Sequence, residues 1–233
     1  KGARAAYEAA LPLYRQIEAR LGEANVQKAL GDLALRVDDL KGARAAYEAA
    51  LPLYRQIEDR LGEANTLQSL GNLASAENEP TTAFGFYHQA LEIHQSIGNQ
   101  LGVGACFVYM ARAEKLAGNF GLSAILSAQA LEVFRAIGDR WGQALALSDQ
   151  AESLLRLEAQ APAFAAWWQA RDIFRAIGDE RNAGQLEAIF GQIQEQAGAQ
   201  WPALEAELSA NAEAIRAAAI EELLKAQQQA ATA

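Results

Sequence analysis

The 233-residue chain holds one cysteine, Cys106. A lone cysteine excludes an intramolecular disulfide framework and a multi-Cys zinc site, and it fits a reducing compartment such as the cytoplasm. There are only 5 prolines, and runs of Val, Ile or Thr are few, which argues against an all-β fold. No stretch approaches 18 uninterrupted apolar residues, so the sequence predicts no membrane span. Positive charge is in deficit, with a net charge of −9. Such a surface repels phosphate, which argues against nonspecific binding to nucleic acid or anionic lipid. The deficit is uneven. Residues 1–120 carry 12 basic and 14 acidic side chains, whereas residues 121–233 carry 8 and 15. An anionic partner would therefore prefer the N-terminal half. The chain opens at Lys1 inside a motif and without an initiator Met, which predicts a fragment of a longer protein.

Helix formers are abundant. Ala, Leu, Gln, Glu and Arg dominate, and apolar residues make up 51%. Comparing the chain with itself gives the main signal. Residues 1–18 recur unchanged at 41–58, and RLGEAN at 20–25 recurs at 60–65. The offset of 40 stays in register, without a gap, to near residue 200. Ala10, Ala50, Ala90, Ala130 and Ala170 form one column. Ile17, Ile57, Ile97, Ile137 and Ile177 form another, and Tyr14, Tyr54, His94, Phe134 and Phe174 a third.

Each 40-residue unit reads as two helices. First helices are predicted near 22–37, 62–77, 102–117, 142–157 and 182–197. Second helices are predicted near 1–17, 40–58, 80–97, 120–137, 160–177 and from 202 onward. Ala43, Tyr47, Ala50, Tyr54 and Ile57 are spaced 4, 3, 4 and 3, which draws one apolar stripe along a helix. In IGDR (137–140) and IGDE (177–180), Gly suits a left-handed helix end and Asp caps the next helix. Glu18 and Glu58 replace that Gly in the early copies, so those turns should be less ideal. Gly31, Gly71, Ala111, Ala151 and Gly191 share a column of small residues, beside which the bulky Tyr47, Tyr87 and Trp167 should pack.

The predicted fold is therefore all-α, an α-solenoid of stacked antiparallel helix pairs. The solenoid spans 1–200: a half repeat at 1–20, units at 21–60, 61–100, 101–140 and 141–180, and the start of a last unit at 181–200. Residues 201–233 form a capping helix and tail. In the cap, Leu204, Leu208, Ala212, Ile215 and Ala219 should cover the fifth first-helix. Ile220, Leu223 and Leu224 have no obvious intrachain partner, and Gln227 to Ala233 should fray.

Chemistry-bearing motifs are scarce. His88 and His94 are six apart, so they do not share a helix face, and no HExxH or Cys–His pairing occurs. His94 reads as a semi-buried packing residue and Cys106 as a structural thiol. Gly102-Val103-Gly104 lacks both a preceding strand and a following GK[ST], so it reads as repeat positions rather than a phosphate loop. Pro12 and Pro52 interrupt second helices on the predicted outer face. Trp167 falls in a core column, while Trp168 reads as more exposed. No cofactor, metal or catalytic residue is predicted.

At Leu30-Gly31, Leu70-Gly71, Ala43, Tyr47 and Ala50 the chain resembles the tetratricopeptide-repeat (TPR) family over about 200 residues. The family's usual period is roughly 34, but longer units occur in kinesin light chains and cell-polarity adaptors. They also occur at the C-terminal ends of bacterial signal-transduction ATPases, which ALPLYRQIEDRLGEANTLQSLGNLA most resembles. The resemblance implies a TPR-like right-handed superhelix whose first helices line a concave groove. It also implies a cytoplasmic, noncatalytic scaffold for a protein or peptide, acting as sensor or adaptor within a signalling protein. The alternative is a structural module that packs on its own chain or on a second copy, although a monomer is favoured. The groove positions change from copy to copy while the framework columns stay fixed. Those expected to touch a partner are Asn25, Lys28, Asn65, Gln68, Asn72, Tyr109 and Arg112. Some family members clamp a C-terminal carboxylate, and Lys28, Asn72 and Arg112 match three of the places used. Asp32 and Val108 stand where that clamp needs Asn and Lys, so the sequence argues against it.

Overall fold

A computed structural model describes residues 2–232, and these are helical almost throughout. The helices are α1 (Gly2–Gln16), α2 (Arg20–Arg36), α3 (Leu40–Gln56), α4 (Arg60–Ala76), α5 (Pro80–Ser96) and α6 (Gln100–Leu116). They continue with α7 (Phe120–Ile137), α8 (Arg140–Arg156), α9 (Gln160–Ala176), α10 (Glu180–Ala197) and α11 (Trp201–Thr232), the last entered through a 3₁₀ turn at Gly198–Gln200. Successive helices pack on each other from α1 to α6 and again from α7 to α10, as an all-α solenoid requires.

The turns repeat every 20 residues, half the sequence period. Residues 18, 38, 58, 78, 98, 118, 138, 158, 178 and 198 all have positive φ, between 53° and 85°. Glycine suits this left-handed region, yet Glu18, Asp38, Glu58, Asn78 and Glu158 also adopt it, each at a cost of roughly 1 kcal/mol. The chain keeps the turn because the next peptide N–H closes it onto the preceding helix. Asp59 N–H donates to the Tyr54 carbonyl at 2.9 Å, and Asn99, Asp139 and Asp179 repeat the bond at the same distance. Asp39, Asp59, Asp139 and Asp179 then cap the following helices by accepting from the N–H three residues on.

Glycine against an aromatic ring sets the packing between helices. A Cβ built on Gly31 would stand 2.5 Å from the Tyr47 ring, and one on Gly142 would stand 2.6 Å from the Phe134 ring. Gly22 meets Tyr14, Gly62 meets Tyr54, Gly71 meets Tyr87 and Gly102 meets His94 in the same way. Gly191 departs from the pattern expected of its column, since nothing lies within 4 Å of its Cβ position. The ring that should fill it belongs at 207, forty residues beyond Trp167, and Glu207 stands there.

The chain divides into two compact units, Lys1–Leu116 and Ala117–Ala233. In the first, α1 to α6 stack in order, and α2 touches α4 as α4 touches α6. The first helices are thus a closely set row. Ala34, Ala43, Tyr47, Leu70 and Leu73 form one buried cluster of its core, and Ala24, Ala50 and Tyr54 another. Pro12 and Pro52 are exposed, as an outer-face position requires. Ile57 is only half-buried and Ile17 is exposed, so the apolar stripe runs out at each second helix's end.

In the second unit α11 corrects the sequence reading. It packs on α9 and α7, not over α10. Leu208, Ala212 and Ile220 are buried. Ile220, expected to lack a partner, joins Ala124, Leu154 and Ala163 in a cluster that Leu223 also flanks. The helix continues to Thr232 instead of fraying from Gln227, and Ala233 lies outside the described residues. This path explains α7, whose 18 residues have a mean hydropathy of 1.3 and are, by length and composition, enough to cross a membrane. Lying between α8 and α11, α7 needs apolar side chains on two faces. Trp168, expected to be more exposed, is buried at 7%. Phe190 packs edge-on at 5.1 Å, Trp201 lies at 6.5 Å, and the Arg171 guanidinium sits 3.5 Å from the Trp168 ring centre.

The contrast between glycines gives a test. Gly71→Ala should cost about 1–3 kcal/mol by driving a methyl into the Tyr87 ring. Gly191→Ala should leave stability unchanged or raise it by up to about 1 kcal/mol, through helix propensity alone. Paired urea melts of the two variants measure the difference.

Candidate recognition surface on the first helices

All seven residues expected to bind a partner lie in the first unit, on α2, α4 and α6. The structure brings them onto one row of helices but does not leave them uniformly available. Tyrosines of the second helices reach across and take their polar atoms. The Tyr54 hydroxyl donates to Asn25 Oδ1 at 2.7 Å. The Tyr87 hydroxyl donates to Asn72 Oδ1 at 2.8 Å, and the Tyr47 hydroxyl to Asp32 Oδ1 at 2.9 Å. Burial pushes the Tyr54 and Tyr87 hydroxyls up to about 12 and Tyr47 higher still, so all three remain neutral donors. The amides Asn25 and Asn72 thus accept from the framework through oxygen, which leaves their NH2 groups to donate to a partner.

Lys28 donates to Asp32 Oδ2 at 2.9 Å. A lysine already paired with an acid is a poor grip for a carboxylate, which agrees with the argument against the clamp. Gln68 donates to the Cys106 sulfur at 3.2 Å, so its amide is turned toward α6. Asn65 is half-buried, and its carbonyl accepts from Ser69. Tyr109 is half-buried and stacks on Tyr87 with ring centres 5.3 Å apart, while Arg112 is exposed. Val108 is buried and belongs to the packing.

Sequence reading missed the tyrosine–amide bonds. The available signal was an acceptor at positions 25, 32 and 72 paired with a tyrosine 29 or 15 residues later. That signal means little until the helix pairing is known.

The titratable groups nearby show little reactivity. Cys106 is fully buried and its thiol is pushed up to about 12 by burial. His94 is 1% exposed, more deeply buried than expected. Its Nδ1 lies 3.1 Å from the Asn99 amide nitrogen, which can only donate, so Nδ1 accepts and the proton sits on Nε2. Nε2 is buried without a hydrogen-bond partner. Among the described residues no group of three His, Cys, Asp or Glu side chains is placed to hold a metal ion.

In the second unit a shallow open hollow of 340 Å³ lies between α7 and α11, floored by Ile125, Ala128 and Ile220. The charged groups beside it are spoken for. Arg216 donates to Gln150 at 3.1 Å and to Glu213 at 2.6 Å, and Glu213 also accepts from Arg135 and Gln169. Burial would raise the Glu213 carboxyl, but Arg135, Arg216 and Gln169 together hold it at about 2. This cluster fastens α11 to α7, α8 and α9.

No protein-family model matches the sequence, and no curated protein matches it. Among solved structures the chain is similar to "BtubC (BKLC) from P. vanneervenii", with a TM-score of 0.56 and 16% identity over 84% of this chain and 91% of that one. That likeness shows a shared helical-repeat fold.

His94 joins α5 to α6, the helix that carries Tyr109 and Arg112. Burial lowers its pKa, so the unfolded chain takes up a proton first, near pH 6.5. Stability from neutral His94 is full above that pH and is lost as pH falls toward the depressed folded value, with a slope of up to about 1.4 kcal/mol per pH unit. Thermal melts from pH 7 to pH 5 should show this loss in the wild type. His94→Phe, with the residue found at 134 and 174, should lack it.

Proposed function

We propose that the chain is a noncatalytic recognition scaffold of the TPR class, which binds an extended protein or peptide segment along α2, α4 and α6. The observation that carries this reading is the framework's hold on the first-helix row. Tyr47, Tyr54 and Tyr87 fix Asp32, Asn25 and Asn72 from behind, so polar groups are presented without the entropy cost of ordering them on binding. Beside them the row varies from copy to copy: Asn25 and Lys28, then Asn65, Gln68 and Asn72, then Tyr109 and Arg112. Amides that donate to a backbone, an aromatic face and a guanidinium suit a peptide of acidic or mixed charge. The buried, protonated Cys106 thiol and the neutral, enclosed His94 favour a noncatalytic role. By its resemblance to the repeat regions of bacterial signal-transduction ATPases, the scaffold acts as the sensor or adaptor part of a larger cytoplasmic protein.

The test spares the amides that the tyrosine hydroxyls hold. Asn72→Ala would strip Tyr87 of its acceptor and confuse binding with stability. Asn65→Ala combined with Arg112→Ala avoids this. Peptides selected from a phage-displayed library against the wild-type chain should bind the double variant about tenfold more weakly, at unchanged helicity. Undiminished affinity in the folded double variant places the binding face elsewhere.

A further inference from the structure

The first helices of the first unit carry an apolar rail beside their polar residues. Between Leu61 and Asn72 on α4, every residue is buried except Leu61, Gly62, Asn65, Gln68 and Asn72. Leu61, Asn65, Gln68 and Asn72 are spaced 4, 3 and 4, so they form one solvent-facing stripe that Leu61 begins. Leu61 is 47% exposed although α4 touches both α2 and α6, so its exposure is no end effect. Leu21 on α2 and Leu101 on α6 hold the same position, at 50% and 57%. The next copy places Trp141 there, 51% exposed, and the fifth copy departs with Arg181. The position thus stays apolar and water-facing through four copies, while the residues that follow it on the stripe change.

The spacing of the rail selects a backbone. Helices packed side by side stand about 8–10 Å apart, so α2, α4 and α6 set Leu21, Leu61 and Leu101 at steps of about that size. A β-strand returns a side chain to one face every second residue, roughly 6.7 Å, and falls out of step with the row. A polyproline II segment returns one every third residue, roughly 9.3 Å, and stays in step over all three helices. Hydrogen bonding agrees. One turn along each helix from the rail stand Asn25, Asn65 and Ala105. The Tyr54 hydroxyl occupies the Asn25 oxygen, and the Ala105 side chain has no acceptor. The strip is therefore short of acceptors for the N–H groups of a strand. A proline-rich backbone has few N–H groups to satisfy, and its carbonyls need only donors.

We propose that the segment bound on this face is a proline-rich polyproline II stretch with a large apolar side chain at every third residue. Those side chains lie against Leu21, Leu61 and Leu101, and the carbonyls between them accept from the amides of Asn25 and Asn65. This rests on the recognition reading above and adds to it the backbone form and the residue spacing of the partner.

Two synthetic peptides of equal length and composition, built from Leu, Pro and Glu in equal parts, provide the probe. One repeats Leu-Pro-Glu, so leucine recurs every third residue. In the other the leucines recur every second residue. Titrations of the chain followed by NMR should show the first peptide binding at least about tenfold more tightly. That preference should vanish in the double variant Leu61→Gln with Leu101→Gln. Its circular dichroism melt should match that of the wild type, because both side chains already face water. Leu21→Gln, on a different helix, serves as a second variant and should weaken the preference. Equal affinity for the two peptides, binding of neither, or a preference that survives the leucine variants would overturn the proposal. Library-selected peptides that weaken with Asn65→Ala and Arg112→Ala but ignore the leucine variants would overturn the rail and leave the recognition face standing. Peptides that ignore both sets of variants would overturn both.

Discussion

The packing of this chain depends on a glycine set against a ring. A helix pair can close only as far as its side chains allow. Where Gly22, Gly31, Gly62, Gly71, Gly102 and Gly142 stand, the closest approach is made by the flat side of a tyrosine, histidine or phenylalanine. One ring fills the volume of the missing side chain and leaves no room for a methyl group. The repeat therefore has little tolerance at these positions and wide tolerance elsewhere. That is why the first-helix surface can change from Asn65 to Gln185 without disturbing the stack.

The same rings carry chemistry to the opposite surface. A phenylalanine would serve the packing, as Phe134 does, but a tyrosine also delivers a hydroxyl through the helix layer. Tyr47, Tyr54 and Tyr87 use theirs to orient Asp32, Asn25 and Asn72. Core and recognition surface are thus coupled. A substitution at Asn72 is felt by the Tyr87 interface, and loss of a ring releases the amide it held. His94 is the one histidine in its column and burial lowers its pKa, so the α5–α6 pair loses stability in acid.

Much of the fold was legible from the sequence because the repeat is nearly verbatim. Helix positions other than the end of α11 came within about two residues, and the small-to-aromatic pairing could be read from the columns alone. The 20-residue turn was not legible. Glu18 and Glu58 carry the strain of a left-handed turn that only the closing backbone bonds make visible. The path of α11 was misread because its apolar spacing fits either neighbour. What decided it was the absence of rings at Glu207 and Ala214, together with the polar cluster of Arg135, Gln150, Gln169, Glu213 and Arg216, whose members are far apart in sequence. Trp168 looked like a surface residue for the same reason, since its cover comes from Phe190 and Trp201. In the candidate site the helices and the row were legible. The prior commitment of Asn25, Gln68 and Asn72 to framework atoms was not, because hydrogen bonds between helices leave no local pattern.

The most direct measurement of the glycine–ring contact is the chemical shift of the glycine α-protons in solution. An aromatic face in contact with a glycine shifts those protons upfield. Resonances of Gly31, Gly62, Gly71 and Gly142 should be displaced upfield, and replacing Tyr87 by leucine should return Gly71 alone to its ordinary position. Gly184 and Gly191 should show ordinary helical shifts. Unshifted α-protons at Gly31 and Gly71 in the folded chain would contradict the account.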